Sequence, residues 1–174
     1  IMSNPKIKYL KGNVTRPIHP ETVICHICND VNKMGSGVAK ALADKWPLVK
    51  VEYHEWAGRK DDPTTFALGN TIFVVVETGV NAEKLIKTGI KEQRNIIVAN
   101  MVAQHRIKSM GEEKPIRYDA LEKCLKEVYQ FCKDNNMILS MPKIGTVRSG
   151  GEWSEIEKII LRNILVETFV YEWD

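Results

Sequence analysis

The stretch Arg94 to Val102, RNIIVANMV, is a near-continuous apolar run without the alternation of a strand that has one wet face. It is expected to be a central strand buried on both faces, and such a strand requires covering helices on both sides of its sheet. The rest of the chain supplies those layers. Lys6 to Val14 and Thr22 to Asn29 read as strands from their β-branched and alternating content, separated by a proline-containing loop over Thr15 to Pro20. Phe66 to Glu77 reads as a strand pair or one long strand with Gly69-Asn70 as a turn, and Met137 to Pro142 and Thr168 to Trp173 are further strands. Val38, Ala39, Leu42 and Trp46 recur at helical spacing after Gly37, and Pro47 closes that helix; another is expected over Leu48 to Ala57. The strongest helical stripe is Leu121, Leu125, Val128 and Cys132, within Arg117 to Asn135. Ser154, with Glu157 three residues on, forms a capping box that opens a helix through about Leu165. Residues 78–93 show no clear period. Strands alternating with helices place the chain in the α/β class, as a three-layer α/β/α sandwich.

Length and charge narrow the function classes. At 174 residues the chain is expected to form one domain over 1–174, large enough to bury a core without staples. The net charge of +3 arises from 25 basic and 22 acidic residues spread along the chain, which argues against a dedicated nucleic-acid surface. Apolar runs such as Ile72 to Val76 are strand-length, so no membrane crossing or membrane partner is expected. Cys25 and Cys28 lie within an apolar run, and Cys124 and Cys132 lie about two turns apart on a helix. Neither spacing converges four ligands, so no metal is expected and the thiols read as free and buried. A reducing, intracellular setting follows, cytoplasmic or, in a eukaryote, nuclear.

Two glycine-rich loops carry the chemistry. In NKMGSGVAKALADKWP, Asn32 to Pro47, Gly35, Ser36 and Gly37 stand directly before a helix. The first helical N–H groups have no internal partner and the dipole makes that end positive, which suits an anion. GTVRSGG, Gly145 to Gly151, is the second such loop, again between a strand and a helix. In open α/β sheets ligands bind beyond the strand ends, and two loops on one edge could grip a diphosphate from both sides. Neither loop is a Walker A sequence or a G-x-G-x-x-G fingerprint, which disfavours a P-loop NTPase or a dehydrogenase.

The ordered set YLKGNVTRP (Tyr9 to Pro17), CHICNDVNKMGSGVAKAL (Cys25 to Leu42), NMVAQ (Asn100 to Gln104), MPKIGTVRSGGEW (Met141 to Trp153) and FVYEW (Phe169 to Trp173) resembles the macro domain family of ADP-ribose-binding modules. The likeness is to the group that contains the yeast ADP-ribose-1''-phosphate phosphatase and the terminal ADP-ribose glycohydrolases. It implies a mixed central sheet between helices, with ADP-ribose or a derivative in a cleft across its top and no further cofactor. By that resemblance Asn13 and Val14 sit at the adenine, where many members have Asp in place of Asn13. Gly35, Ser36, Gly37 and Val38 offer backbone N–H groups to the diphosphate. Ile144, Gly145, Thr146, Val147, Arg148, Ser149 and Gly150 form the second phosphate loop, with Val147 where a glycine is usual. Tyr171 or Trp173 stacks on the adenine or is an edge aromatic of the sheet.

The resemblance also implies where chemistry would lie. The glycohydrolase branch is expected to use a lysine and an aspartate where this chain has Gln104 and Ser149, so a lysine-dependent route is not expected. His26 and Asn29 are similar to the histidine and asparagine of the phosphatase branch: a histidine titrating near neutrality as acid or base, an asparagine fixing ribose hydroxyls. The other reading of His26 is a hydrogen-bonded core histidine, and His105 is a second candidate. Two functions stand: hydrolysis of an ADP-ribose 1''-phosphate or ADP-ribosyl or O-acetyl ester, and non-catalytic reading of ADP-ribose or of ADP-ribosylated protein or nucleic acid. A Rossmann-like oxidoreductase is the least supported.

Overall fold

The computed structural model describes residues 7–59 and 65–172; Lys6 and Trp173 lie outside them. In chain order the elements are β1 (Ile7–Lys11), β2 (Glu21–Asn29), α1 (Gly37–Lys45), α2 (Leu48–Gly58), β3 (Thr71–Glu77), α3 (Ala82–Thr88), β4 (Asn95–Gln104), α4 (Tyr118–Asn135), β5 (Ile138–Pro142), α5 (Trp153–Asn163) and β6 (Thr168–Glu172). The strands form one sheet in the order β1-β6-β5-β2-β4-β3. β3 runs antiparallel to β4 and every other pairing is parallel, so the sheet is mixed. This is the expected three-layer α/β architecture.

The layers follow from alternation along the central strands. On β2, Val23 and Cys25 pack with Leu121, Leu125 and Val128 of α4 and Ile156 and Ile160 of α5. Ile24 and Cys28 point the other way, into a core shared with Leu42 of α1 and Val49 and Tyr53 of α2. The stripe Leu121, Leu125, Val128 and Cys132 is fully buried, and each of its leucines and valine contributes roughly 1.5–3 kcal/mol of transfer free energy. On β4 every residue after Asn95 is buried, up to and including Gln104. Gln104 is thus the last residue of the strand, two residues beyond the apolar run that ends at Val102.

Other boundaries shift for local reasons. The strand after the Gly69-Asn70 turn begins at Thr71, because Gly69, at φ +93°, donates its N–H to the Val102 carbonyl and turns the chain onto the sheet edge. Residues 78–93 contain α3, whose N-cap Asn81 side chain accepts from the Lys84 N–H and whose C-cap is Gly89 at φ +70°. α3 buries no residue, which is why no apolar period marks it. The capping box at Ser154 does not form: α5 starts at Trp153 after Glu152 and ends at Asn163. The Glu152 N–H is held by the Tyr118 hydroxyl, and the helix enters with Glu152 as N-cap, two residues before Ser154, which is left inside the first turn.

The four cysteines are all free and buried, Cys28 in one core and Cys25, Cys124 and Cys132 in the other. Burial pushes every one of these thiols up, Cys124 to about 11 and Cys132 to about 12. Native protein at pH 8 should therefore react negligibly with an aromatic disulfide reagent over minutes, and all four thiols should titrate in denaturant. A fast-reacting thiol in the native protein would contradict this packing.

Candidate functional site

β2 lies between β5 and β4, and the chain leaves β2 for α1 on one face but leaves β5 and β4 for α5 and α4 on the other. The strand ends diverge there, and a cavity of about 1040 Å³ opens beyond them. Its walls come from three loops, over residues 33–39, 104–109 and 142–149.

The first loop is built by Asn29. Its Oδ1 accepts from the Val31 N–H (3.0 Å), the Lys33 N–H (3.2 Å) and the Tyr53 hydroxyl (2.9 Å), and its Nδ2 donates to the Lys33 carbonyl (2.7 Å). Asn29 lines the cavity, and its Oδ1 and one of its two Nδ2 hydrogens are engaged in shaping the loop. Beyond it Gly35, Ser36, Gly37 and Val38 all face the cavity. The first N–H to bond back along α1 is that of Lys40, to the Ser36 carbonyl at 3.3 Å, so those of Gly37, Val38 and Ala39 have no helical partner.

The second loop closes on itself through the Gly151 N–H and the Gly145 carbonyl, 2.7 Å apart. Gly145 sits at φ +76°, and a Cβ on Gly151 would lie 2.6 Å from the Gly145 carbonyl oxygen, so both positions require glycine. Ile144, Gly145, Thr146, Val147, Arg148 and Ser149 line the cavity; Gly150, at φ +71°, turns the loop away from it. Val147 is 79% exposed, so its branched side chain stands in solvent and is not packed into the loop. Ser149 Oγ donates to Gln104 Oε1 at 2.7 Å, and Gln104 Nε2 donates to the Arg106 carbonyl at 3.0 Å. The two positions where the resemblance implies a lysine and an aspartate thus meet in space as a neutral pair.

The electrostatics are one-sided. Arg148 lies across Gly37, with its Nε 2.9 Å from where a Cβ on that glycine would stand. Lys33, Lys108 and Lys143 also line the cavity, and no aspartate or glutamate does so among the described residues. Sequence reasoning missed these three lysines because they are scattered over three loops; their only local signal is that Lys33 and Lys143 each precede a glycine loop by two residues.

Other expected site residues lie apart from the cavity. Asn13 Oδ1 accepts from the Thr15 N–H (2.9 Å) and hydroxyl (2.7 Å), so its carbonyl is occupied within its own turn. Val14 is buried in the α1/α2 core. Tyr171 is buried in the same core and its hydroxyl accepts from the Ile18 N–H at 2.9 Å, which leaves no open ring face for an adenine. Trp173 lies outside the described residues. His105 Nδ1 meets Asp30 Oδ2 at 2.7 Å and does not line the cavity.

His26 does line it, 2% exposed, with Nε2 2.5 Å from Asn100 Oδ1. Asn100 Nδ2 is committed to the Val49 carbonyl, so its oxygen faces the imidazole and the proton belongs on Nε2. Nδ1 is then a buried lone pair, and it has no partner. Burial lowers the His26 pKa to about 4, against a smaller opposing effect of the Asn100 hydrogen bond. The expected titration near neutrality is thereby corrected: the ring is neutral there.

No family model matches the chain. A solved protein of Bacteroides thetaiotaomicron is 37% identical, with 95% of this chain and 99% of that one covered and a TM-score of 0.78. A macrodomain protein from Streptomyces coelicolor is 29% identical over 96% of this chain and 99% of its own, with a TM-score of 0.75. The chain belongs to the macro domain family. The macro domain fold also appears, at 16% identity and a TM-score of 0.69, in Thermosipho africanus DarTG, solved in complex with ADP-ribose. Two curated relatives match at intermediate identity. An ADP-ribose 1''-phosphate phosphatase of Lodderomyces elongisporus is 22% identical over 157 residues, 88% of this chain and 90% of that protein. The zebrafish chromodomain-helicase-DNA-binding protein 1-like is 27% identical over 164 residues, and the match spans only 14% of its length.

The buried histidine gives this macro domain a pH signature. Between pH 6.5 and about 4 the unfolded chain binds a proton at His26 that the native state does not. Stability should therefore be intact above 6.5 and fall as pH drops to about 4, by about 3 kcal/mol from this group. Urea unfolding as a function of pH checks this, and His26→Gln should flatten that window. A slope unchanged in the variant would assign it to other groups.

Proposed function

We propose that this macro domain binds ADP-ribose, with its diphosphate between the Gly35–Val38 and Ile144–Gly150 loops. The observation that carries the reading is Arg148 lying against Gly37. A guanidinium at a helix N-terminus is disfavoured by roughly 0.3–1 kcal/mol, and the N–H groups of Gly37, Val38 and Ala39 beside it have no helical partner. An anion between the loops turns this repulsion into attraction on both sides. The DarTG complex and the yeast phosphatase support a nucleotide diphosphate as that anion.

Hydrolysis of a derivative, an ADP-ribose 1''-phosphate or an ester, is the finer reading, and the unpartnered Nδ1 of His26 favours it. As water attacks the phosphorus or acyl carbon, one of its protons passes to Nδ1 and the bond to the ADP-ribose oxygen breaks, and that same proton then passes from Nδ1 to the leaving oxygen. The neutral Gln104–Ser149 pair supplies neither a Schiff-base amine nor a carboxylate, so the lysine-dependent route has no residues to run on. Without turnover the same cavity is a reader.

Gly35→Glu is the direct test of binding. A Cβ at Gly35 meets open space at an unstrained φ, whereas Gly37 is at φ +63° against Arg148 and its substitution would strain the loop. The variant should keep its melting temperature and lose about 100-fold or more in ADP-ribose affinity by calorimetry, through repulsion of the diphosphate. Unchanged affinity would remove the loop from the site. For catalysis, His26→Ala should lower turnover of the 1''-phosphate or ester by about two orders of magnitude with ADP-ribose affinity within about 1 kcal/mol. The wild-type rate should show its acid limb near pH 4, not near 6.5. Absence of product from every derivative with wild-type protein would leave the reader.

A further inference from the structure

We infer that the excursion between β3 and β4, residues 78–93 with α3, is the face on which a second copy of this chain docks, forming a two-fold dimer that leaves both cavities open. The segment is built inside out. Its charged side chains are the covered ones. Lys84 Nζ meets Glu92 Oε2 at 2.6 Å, Arg94 Nε meets Glu77 Oε1 at 3.0 Å, and the Arg94 and Glu92 side chains are 19% and 21% exposed. Its apolar side chains are the bare ones: Ile86 is 84% exposed and Ile90 57%, with Val80 and Leu85 open as well. A surface helix ordinarily turns its apolar residues to the core, yet α3 buries none. It is tethered by backbone bonds instead, from the Asn81 N–H to the Glu92 carbonyl and from the Arg94 N–H to the Gly79 carbonyl, each 2.8 Å, with Val80 paired to Gln93. Gly89, at φ +70°, donates to the Leu85 carbonyl and turns the chain back past Leu85 at Ile90. The base of the excursion is thus closed, and four apolar side chains are displayed within eleven consecutive positions.

Charge and area select the occupant. Glu77, Glu83 and Glu92 are matched within the segment by Arg94, Lys87 and Lys84, which leaves Lys91 without an ion-pair partner among the described residues. One lysine does not draw a nucleic acid or an acidic surface. A face balanced in itself meets its own two-fold image without assembling like charge. Together with Val75, 53% exposed near the end of the edge strand, these side chains leave roughly 400 Å² of apolar surface open, as large as the largest patch of a typical monomer. One side of a standard interface is about 800 Å² and a little over half apolar, so the patch matches what half of a dimer requires. Strand addition is a poorer use of this edge, because the β3–β4 ladder is bulged between Val75 and Glu77 and Glu77 carries the Arg94 guanidinium there. The contact is therefore made by side chains. Since β3 is antiparallel to β4, the excursion lies beyond the N-terminal end of β4, whereas the cavity lies beyond its C-terminal end. Docking there covers neither glycine loop.

Sedimentation equilibrium of the whole chain, from about 1 to about 500 μM, tests the assignment. Wild-type protein should pass from monomer to dimer within that range, and raising salt should not weaken the association, because the contact is apolar. Ile86→Glu and Ile90→Glu should each weaken it by about tenfold or more with the melting temperature unchanged, since neither side chain is packed in a core. Ile86→Leu should retain it. Wild-type protein that stays monomeric throughout, a dimer that salt dissociates, or a dimer unchanged by both glutamate substitutions overturns the assignment. The wild-type concentration series decides the matter even where a variant folds poorly. ADP-ribose affinity should be the same in wild-type protein and in Ile86→Glu, so a failure to bind ADP-ribose bears on the cavity alone and a failure to dimerise on this face alone.

Discussion

Two neighbouring strands, β2 and β4, run through the protein with both faces dry, and most of the structure answers to that constraint. In such a setting a polar side chain must be partnered by another buried group, since water is absent. Thr22 meets Ser140 across β2 and β5 at 2.8 Å, and His26 meets Asn100, which in turn reaches the Val49 carbonyl on α2. Gln104 meets Ser149. These pairs are not spread evenly: toward the C-terminal ends of the strands they become denser and begin to link strands to loops. The edge of the sheet that holds the cavity is thus the edge where the core turns polar.

That gradient adds hydrogen bonds to the packing that shapes the glycine loops, Met34 of the first in one core and Ile144 of the second in the other. The first is held from below by Asn29 and Tyr53, and the second by the Ser149 contacts to Gln104 and to the Ile116 N–H. Both are anchored to residues of, or packed on, the dry strands. The second loop so held carries Arg148, exposed at its tip, beside the first turn of α1, so the guanidinium and the unpartnered helical N–H groups face the same side of the cavity.

Much of this was legible in the sequence. The unbroken apolar run of β4 announced a sheet with two covers, and the period of Leu121, Leu125, Val128 and Cys132 announced one of the covering helices. Both glycine loops were legible because helix starts and positive-φ turns impose local composition. What was not legible depended on contacts between distant segments. Asn29 reads as a ligand-facing amide until Tyr53, twenty-four residues on, is seen to hold it. Tyr171 reads as an adenine-stacking ring or an edge aromatic until it is found buried with the Ile18 N–H on its hydroxyl. α3 escaped notice because a helix that buries nothing leaves no apolar period, and the capping box at Ser154 failed because Tyr118, on another helix, took the N–H that sets the entry to α5.

The same reasoning bears on His26, where sequence and structure give the residue different characters. A histidine in a strand is read from its solution pKa as a switch near neutrality, but desolvation in a two-faced dry sheet moves it far below that. The Asn100 contact then fixes which nitrogen keeps the proton, because an amide whose N–H is committed to a carbonyl has only its oxygen to offer. A ring held in one tautomer and neutral across the physiological range, with its Nδ1 buried and unpartnered, is a poor pH sensor. Its character is set by burial and by the hydrogen bond to Asn100, not by the solution chemistry of imidazole.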